Sequence, residues 1–404
     1  MTERLYYTDA HLREFDASIL RVQIRNGSTS VVLDRTAFYP TSGGQPFDTG
    51  VLETAMPRHG RFSVTDVLDG DEGEVVHLVD APADALMPGQ RVHGSIDWAR
   101  RFDHMQQHTG QHVLSAAIDR LFGVRTVSFH LGVDASTIDV ARELTHGELV
   151  SAENESNTVV WQDRPVSVRY ASAEEASRLP LRKESGREGT LRLIDVEQFD
   201  LSACGGTHVA STGGIGIIAI GSTERFKGGQ RLEFFCGSRA LAKFRSMRDA
   251  LAGSVRLLSV IPQELPGAIE KLQSESRDRQ RTLTSLQQEL ARYRADDLAA
   301  SAEQLPNGRL VARVLHADAN GLKSLASAIV ANPGYIAILV SDTRPALAVV
   351  ARSADVTVDA QRVIAELAAR FGGRGGGKPD LAQAGSLHAD SSDVLSHARR
   401  AVLG

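Results

Sequence analysis

The sequence predicts an α+β protein in four parts, and three observations carry that reading. Short β-branched runs separated by glycine turns fill residues 1–95, the pattern of a small β-barrel. Two pairs of metal-ligand residue types, each at i, i+4 spacing, mark residues 96–238 as an α+β metal-binding domain. Apolar residues recur at alternating steps of three and four through 239–304, and strand and helix patterns alternate through 305–404. An antiparallel helical coiled-coil arm and a C-terminal α/β domain are expected there.

In the first part, residues 19–24 and 30–34 are two strand-like runs separated by Asn26-Gly27, a strong turn signal. Residues 62–68 and 74–79 repeat them, with Asp69-Gly70 and Glu72-Gly73 between. Among them lies Phe38-Tyr39-Pro40-Thr41-Ser42-Gly43-Gly44-Gln45. Two adjacent glycines before a polar amide suit a tight loop whose backbone comes close to a ligand, although taken alone the segment reads as a plain hairpin loop.

From Asp97 the texture changes. A helix is expected through about Phe122, with Val113, Leu114, Ala117, Ile118 and Leu121 on its apolar face. His108 and His112 stand four apart on it, so 3.6 residues per turn place both imidazoles on one face. Cys204-Gly205-Gly206-Thr207-His208 repeats that spacing, with the glycine pair expected to turn the backbone sharply. His108, His112, Cys204 and His208 form a borderline-soft donor set of the kind zinc takes in tetrahedral geometry, so Zn2+ is the expected cofactor. A lone histidine is more often structural; two interlocking pairs, with one of only two cysteines inside them, carry the argument. Thr109 stands where a metallopeptidase of this spacing has its glutamate, which excludes that class. His104, a turn earlier, reads as a proton acceptor or, preferably, as a surface residue. Cys236 reads as a buried apolar side chain. A second helix is expected over 143–157 and strands over 166–170, 191–196, 215–220 and 231–235. The polar loop 178–189 carries Arg178, Arg182, Lys183 and Arg187.

Leu241, Phe244, Arg248, Leu251, Val255 and Leu258 form the first seam of the arm. Beyond Pro262 and Pro266, Ile269, Leu272, Ser276, Arg279, Leu283, Leu286, Leu290 and Tyr293 form the second. Such an arm serves as a solvated stalk, a spacer or a dimerisation element. In the last part, strands are expected over 310–315, 335–340 and 346–351 and helices over 321–331 and 355–371. Gly372-Gly373-Arg374-Gly375-Gly376-Gly377-Lys378-Pro379 then reads as a flexible cationic loop with amides able to cradle phosphates. Pro379 after Lys378 excludes a Walker loop.

The bulk numbers bound the class. With 404 residues, 42% apolar and 24% charged, the chain suits two or three globular domains. Two cysteines leave no disulfide framework, and neither a signal-peptide profile nor a run of about 18 apolar residues is present, so a cytoplasmic protein without membrane contact is expected. A net charge of -5 gives no global attraction to a polyanion, and any such partner must meet local basic patches.

Taken together, the segment from Phe38 to Gln45, the His108-to-His112 motif and Cys204-Gly205-Gly206-Thr207-His208 resemble, in that order, the editing domain of alanyl-tRNA synthetase. The glycine-rich Arg374 stretch is similar to that enzyme's C-terminal DHH-associated domain. Threonyl-tRNA synthetase carries a related editing domain, but the Gly-Gly-Thr after Cys204 points to the alanyl branch. With no aminoacylation domain ahead of these motifs, the chain resembles the long form of the free-standing alanyl-tRNA editing proteins of AlaX type, which act in trans. The resemblance implies hydrolysis of tRNA(Ala) mischarged with serine and, to a lesser degree, glycine. It marks Gln45, His108 and Cys204 as catalytic candidates, Thr41, Gly43, Gly44 and Gln45 as substrate-binding, and Arg374 and Lys378 as tRNA-binding. A site built to hydrogen-bond the serine hydroxyl rejects alanine by up to ~10⁴ to 10⁵, a discrimination that a pocket built for a methyl group lacks. Four protein ligands are the mark of a closed structural metal site, whereas a hydrolytic metal keeps an open position. A displaced ligand or a separate attacking water reconciles the two. A homodimer through the arm or the C-terminal domain is a further expectation. The rival readings are a non-catalytic zinc-containing tRNA-binding module and a zinc hydrolase of another aminoacyl ester.

Overall fold

The computed structural model describes residues 1–25, 28–54, 60–82, 84–182 and 189–403. Two compact units divide the chain, Met1–Gly253 and Ser254–Gly404.

The first unit opens with the expected barrel. Strands β1 (Glu14–Arg25), β2 (Ser28–Leu33), β3 (Gly50–Thr54), β4 (Gly60–Asp69), β5 (Val75–Asp80) and β6 (Arg91–Ile96) close antiparallel in the order β1-β2-β5-β4-β3-β6. Phe15, Ile19, Leu33, Phe38, Leu52 and Val67 fill it. The sequence did not signal β3 and β6, because Gly50 and Gly94 dilute their β-branched character. Gly94 is required by packing, since a Cβ there would lie 2.4 Å from the Phe15 ring. The turn expected at Asn26-Gly27 lies outside the described residues.

Helix α1 (Trp98–Phe122) follows, capped by the Asp97 side chain accepting from Arg100 N–H and ended by Gly123 at φ 63°. The expected one-sided apolar stripe is not how it packs: every residue from His104 to Ile118 is buried. The reason is that α1 lies against α2 (His146–Trp161) and the sheet behind it, so its buried amides are held by hydrogen bonds, while His104 Nδ1 has no partner among the described residues. Gln107, for example, donates to Cys236 C=O and accepts from Cys236 N–H, at 3.0 and 2.9 Å. That sheet runs β12 (Ile218–Phe226), β13 (Gly229–Cys236), β8 (Ser136–Val140), β7 (Thr126–Leu131). A second sheet, β9 (Val166–Ser172), β10 (Thr190–Val196), β11 (Asp200–Ala203), carries the cysteine motif at its end. The barrel is tied to α1 by a fully buried ion pair between Arg101 and Asp48, whose carboxylate also accepts from Tyr39 N–H. That pair fixes the segment ending in Gln45 against the helix.

Both long helices predicted for the arm form, as α3 (Gly237–Leu258) and α4 (Leu265–Ala300), and the division between the units falls within α3. Seam residues Leu241, Phe244 and Leu251 on α3 and Leu283, Leu286 and Leu290 on α4 are exposed.

The second unit continues with a six-stranded sheet of β14 (Glu303–Leu305), β15 (Gly308–Leu315), β16 (Tyr335–Ser341), β17 (Ala346–Arg352), β18 (Arg374–Lys378) and β19 (Leu381–Leu387). Its order is β14-β15-β16-β17-β19-β18, and β15 with β16 is the parallel pair. Helix α5 (Ala319–Val330) covers one face, and α6 (Ala360–Phe371) and α7 (Ser391–Leu403) cover the other. The glycine run expected as a loop is instead the edge strand β18. Helix α6 approaches so closely that a Cβ on Gly375 would lie 2.6 Å from Ile364 Cγ2, so glycine is there for fit rather than for flexibility. Among the described residues no helix is long and apolar enough to cross a membrane.

Candidate metal centre and active site

The helix and the distant cysteine motif converge as the spacing predicts. The ligand atoms of His108, His112, Cys204 and His208 lie within 4.8 Å of one another. Cys204 Sγ is 3.3 Å from His108 Nε2 and 3.5 Å from His208 Nε2. Bonds of about 2.0 Å to nitrogen and about 2.3 Å to sulfur give a tetrahedral N···S edge of roughly 3.5 Å, so the donor set fits zinc in kind and in spacing.

Each imidazole is held from behind, and this explains the residues between the ligands. His108 Nδ1 donates to Gln45 Oε1 at 2.9 Å, His112 Nδ1 to Asp200 Oδ2 at 3.0 Å, and His208 Nδ1 to Thr109 Oγ1 at 3.2 Å. Thr109 passes its own hydrogen to Met105 C=O at 2.9 Å, which leaves its oxygen free to accept. All three rings therefore present Nε2 to the centre, the arrangement in which outer partners fix tautomer and orientation. The position that broke the peptidase motif is thus a support for His208.

The electrostatics agree. Burial works against the Cys204 thiolate, but His108, His112 and His208 together hold the thiol well below its ordinary range. Burial also works against charged His112, yet Asp200 and Cys204 outweigh it and raise the ring to about 9. Asp200, despite its burial, is kept below the usual carboxylate range by His112 and Arg182, whose Nε donates to it at 2.6 Å. His208 is pushed down to about 3 by burial and by His108.

The glycines of the motifs prove to be contact residues. Neither Gly205 nor Gly206 has positive φ, so the sharp turn expected of them is not their reason. A Cβ on Gly206 would stand 2.1 Å from His108 Cε1, whereas one on Gly205 would meet only the Tyr7 hydroxyl at 3.8 Å. Gly110, inside α1, faces Cys236 Sγ at 2.2 Å from its notional Cβ. By contrast Gly43 and Gly44 do need their conformation: φ of 55° and 86° makes a two-residue turn closed by reciprocal bonds between Ser42 and Gln45. Thr41, Gly43 and Gly44 are exposed at this turn.

Gln45 is fully buried below the turn. Its Oε1 accepts from His108 and from Thr207 N–H at 3.0 Å, and its Nε2 donates to Thr207 Oγ1 at 2.8 Å. Its contacts are with a ligand rather than with an open pocket. His104, favoured as a surface residue, is buried, and its pKa falls to about 4 as burial disfavours the charged ring. Cys236 is buried as expected, with its thiol pushed up by burial. Of the expected basic loop, Arg182 braces Asp200 and exposed Arg178 pairs with Glu174, while Lys183 and Arg187 lie outside the described residues. Arg374 and Lys378 belong to the second unit and are exposed on β18. Asp200 was missed, as were the supporting roles of Arg182 and Thr109. The strand period of two was the available signal for Asp200, since 200, 202 and 204 share one face.

Models of known families match three stretches of the chain. Residues 3–100 match tRNA synthetases class II (A), 191–233 the threonyl and alanyl tRNA synthetase second additional domain, and 307–402 the DHHA1 domain. Fold, site and matches define the class: a protein built from domains shared with class II tRNA synthetases. The alanyl-tRNA editing protein AlaX-L of Pyrococcus horikoshii is 30% identical over 98% of this chain and 97% of its own length. The chain belongs to that family of AlaX-type alanyl-tRNA editing proteins. It is also 32% identical to an alanine–tRNA ligase of Pyrococcus abyssi over 95% of this chain, and 36% identical to that of Natronomonas pharaonis over 100% of it. It spans 42% and 44% of the lengths of those two ligases.

Proposed function

We propose that the chain is a trans-acting hydrolase that removes serine, and less readily glycine, from mischarged tRNA(Ala). The observation that carries this reading is the braced three-histidine, one-cysteine cluster, coupled through Gln45 to an exposed turn of Thr41, Gly43 and Gly44, in a chain of the AlaX family. Zn2+ held by His108, His112, Cys204 and His208 would supply Lewis acidity toward the ester carbonyl. The chain's own residues provide the rest. Gln45, Asp200 and Thr109 hold the three rings in place, and the open turn lets the ester approach. Thr41 and the turn amides offer partners to a serine hydroxyl, partners that alanine leaves unpaired.

The second unit is assigned the body of the tRNA. A groove of about 430 Å³, in which Arg374 is the one cation and Gln383 the one side-chain amide beside apolar Leu347 and Val349, supports that assignment by placing Arg374 at a concave surface. The exposed seams of α3 and α4 suit a spacer or a homodimer contact.

Serine release from Ser-tRNA(Ala), with Ala-tRNA(Ala) and Gly-tRNA(Ala) in parallel, tests the reading in the intact protein and in a Cys204→Ala variant of verified fold. Fast, serine-selective release that is lost in the variant is expected. A metal-loaded protein that binds tRNA and releases nothing is a binding module instead; release indifferent to tRNA identifies a hydrolase of another aminoacyl ester.

A further inference from the structure

A row of side chains leads outward from the metal centre across the second sheet. Tyr170 on β9 is directly opposite Arg192 on β10. Cys204 N–H donates to Arg192 C=O at 3.1 Å, which extends the β10–β11 ladder one residue and sets Cys204 opposite Arg192 on the other side. Residues opposed across neighbouring strands share a face, so Tyr170, Arg192 and Cys204 form one line about 10 Å long, two strand spacings. Tyr7 lies over this line. Its carbonyl accepts from Arg192 Nε at 3.3 Å and from the Tyr170 hydroxyl at 3.4 Å. Its own hydroxyl reaches to within 3.8 Å of a notional Cβ on Gly205, beside the cysteine ligand.

The charge on this line is unbalanced. Arg4, Arg169 and Arg182 are neutralised by Asp69, Asp195 and Asp200. Arg192 forms no ion pair among the described residues, although Nη1 donates to Cys204 C=O at 2.8 Å and to Gly206 C=O at 3.0 Å. Those bonds hold the cysteine turn in place and leave Nη2 without a partner among the described residues. The strip therefore starts at a metal ligand, carries one uncompensated guanidinium, and ends on an aromatic ring that is 54% exposed.

We infer that this strip of Tyr7, Arg192 and Tyr170 seats the single-stranded 3′ end that bears the ester, with a base stacked on Tyr170 and the backbone phosphate drawn to Arg192. An open aromatic face beside a guanidinium that carbonyls and the Tyr7 ring position, but that no carboxylate among the described residues neutralises, is the combination by which proteins hold single-stranded nucleic acid without reading its sequence. The strip's continuity with Cys204 makes the aminoacylated end its occupant. The inference rests on the deacylase reading above.

Tyr170 is the residue to test, because its exposure spares the fold. In the zinc-loaded, full-length protein, Tyr170→Ala is expected to raise KM for Ser-tRNA(Ala) by about tenfold, the order of one lost base–aromatic stack, with the effect on KM rather than on kcat. Tyr170→Phe lacks the hydroxyl bond to Tyr7 but keeps the ring, and Tyr170→Trp enlarges the ring; both are expected to stay near wild type. An unchanged KM in Tyr170→Ala, with the wild type active, overturns the strip and leaves deacylation standing. An equal defect in Tyr170→Phe also overturns it, by assigning Tyr170 to the support of Tyr7. If the wild type releases nothing, deacylation falls by itself, and binding of a short RNA ending in ACCA decides the strip. Weakening by about tenfold in Tyr170→Ala supports it, and equal binding overturns it.

Discussion

At the scale of the residue, the site is governed by what stands behind the ligands. Removing the Gln45 side chain strips His108 Nδ1 and Thr207 N–H of one shared acceptor. Gln45→Ala is therefore expected to weaken metal binding by roughly 10- to 100-fold, the usual effect of losing an outer-sphere partner, as read by competition with a chromophoric chelator. Gln45→Glu keeps an acceptor toward His108 and should hold metal more tightly than the alanine variant. Unchanged affinity in Gln45→Ala would return this residue to the substrate side of the site. The glycine pair gives a second contrast. Gly206→Ala drives a methyl group into the His108 ring and should abolish stoichiometric metal binding, whereas Gly205→Ala meets only the Tyr7 hydroxyl and should retain it. Metal content after gel filtration separates the two, and equal content in both would remove close approach as the reason for the second glycine.

At the scale of the element, α1 and the barrel show what the sequence disclosed and what it withheld. The convergence of His108, His112, Cys204 and His208 was legible because an i, i+4 repeat names one helix face whatever surrounds it. The burial of α1 on all sides was not, because Gln106 and Gln107 look like a solvent face until their partners on other elements are in place, and Gln111 is satisfied within the helix by Ser115. Likewise β18 was hidden by its composition: local propensity reads five-residue Arg374–Lys378 as a loop, and only the closeness of α6 turns glycine into a requirement. The barrel holds a comparable surprise in His77, fully buried between Thr36 Oγ1 at 2.9 Å and Val31 C=O at 3.1 Å. Burial lowers its pKa from 6.5 to about 4. The unfolded chain therefore takes up a proton near pH 6.5 that the folded barrel refuses until about pH 4, so stability is fully present above 6.5 and is lost as pH falls toward 4. The loss amounts to about 3 kcal/mol. Denaturant unfolding of metal-free protein across this window should show a shallower acid decline for His77→Gln than for the wild type. Parallel declines would mean that the imidazole is already protonated in the fold.

At the scale of the whole molecule, a net charge of -5 means that a tRNA is not attracted by the protein's overall field, so contact must be made where cations stand without an acidic partner. Beyond Arg192, the edge strand β18 is such a place: Arg374 and Lys378 are exposed and form no ion pair among the described residues. Their separation from the metal centre into the second compact unit gives each unit its own measurable effect. The double variant Arg374→Ala, Lys378→Ala should keep full metal content and unchanged hydrolysis of a serylated acceptor-stem minihelix, which lacks the tRNA body. For full-length Ser-tRNA(Ala) its KM should rise. The dependence of log KM on log salt should become shallower by up to about 1.8, since each phosphate contact contributes roughly 0.9 to the slope. A slope that does not change, with KM raised equally for minihelix and tRNA, would mean that both cations act on the fold or on the acceptor end. The body of the tRNA would then be held by another surface, and the arginines of α3 and α4 would be the next to test.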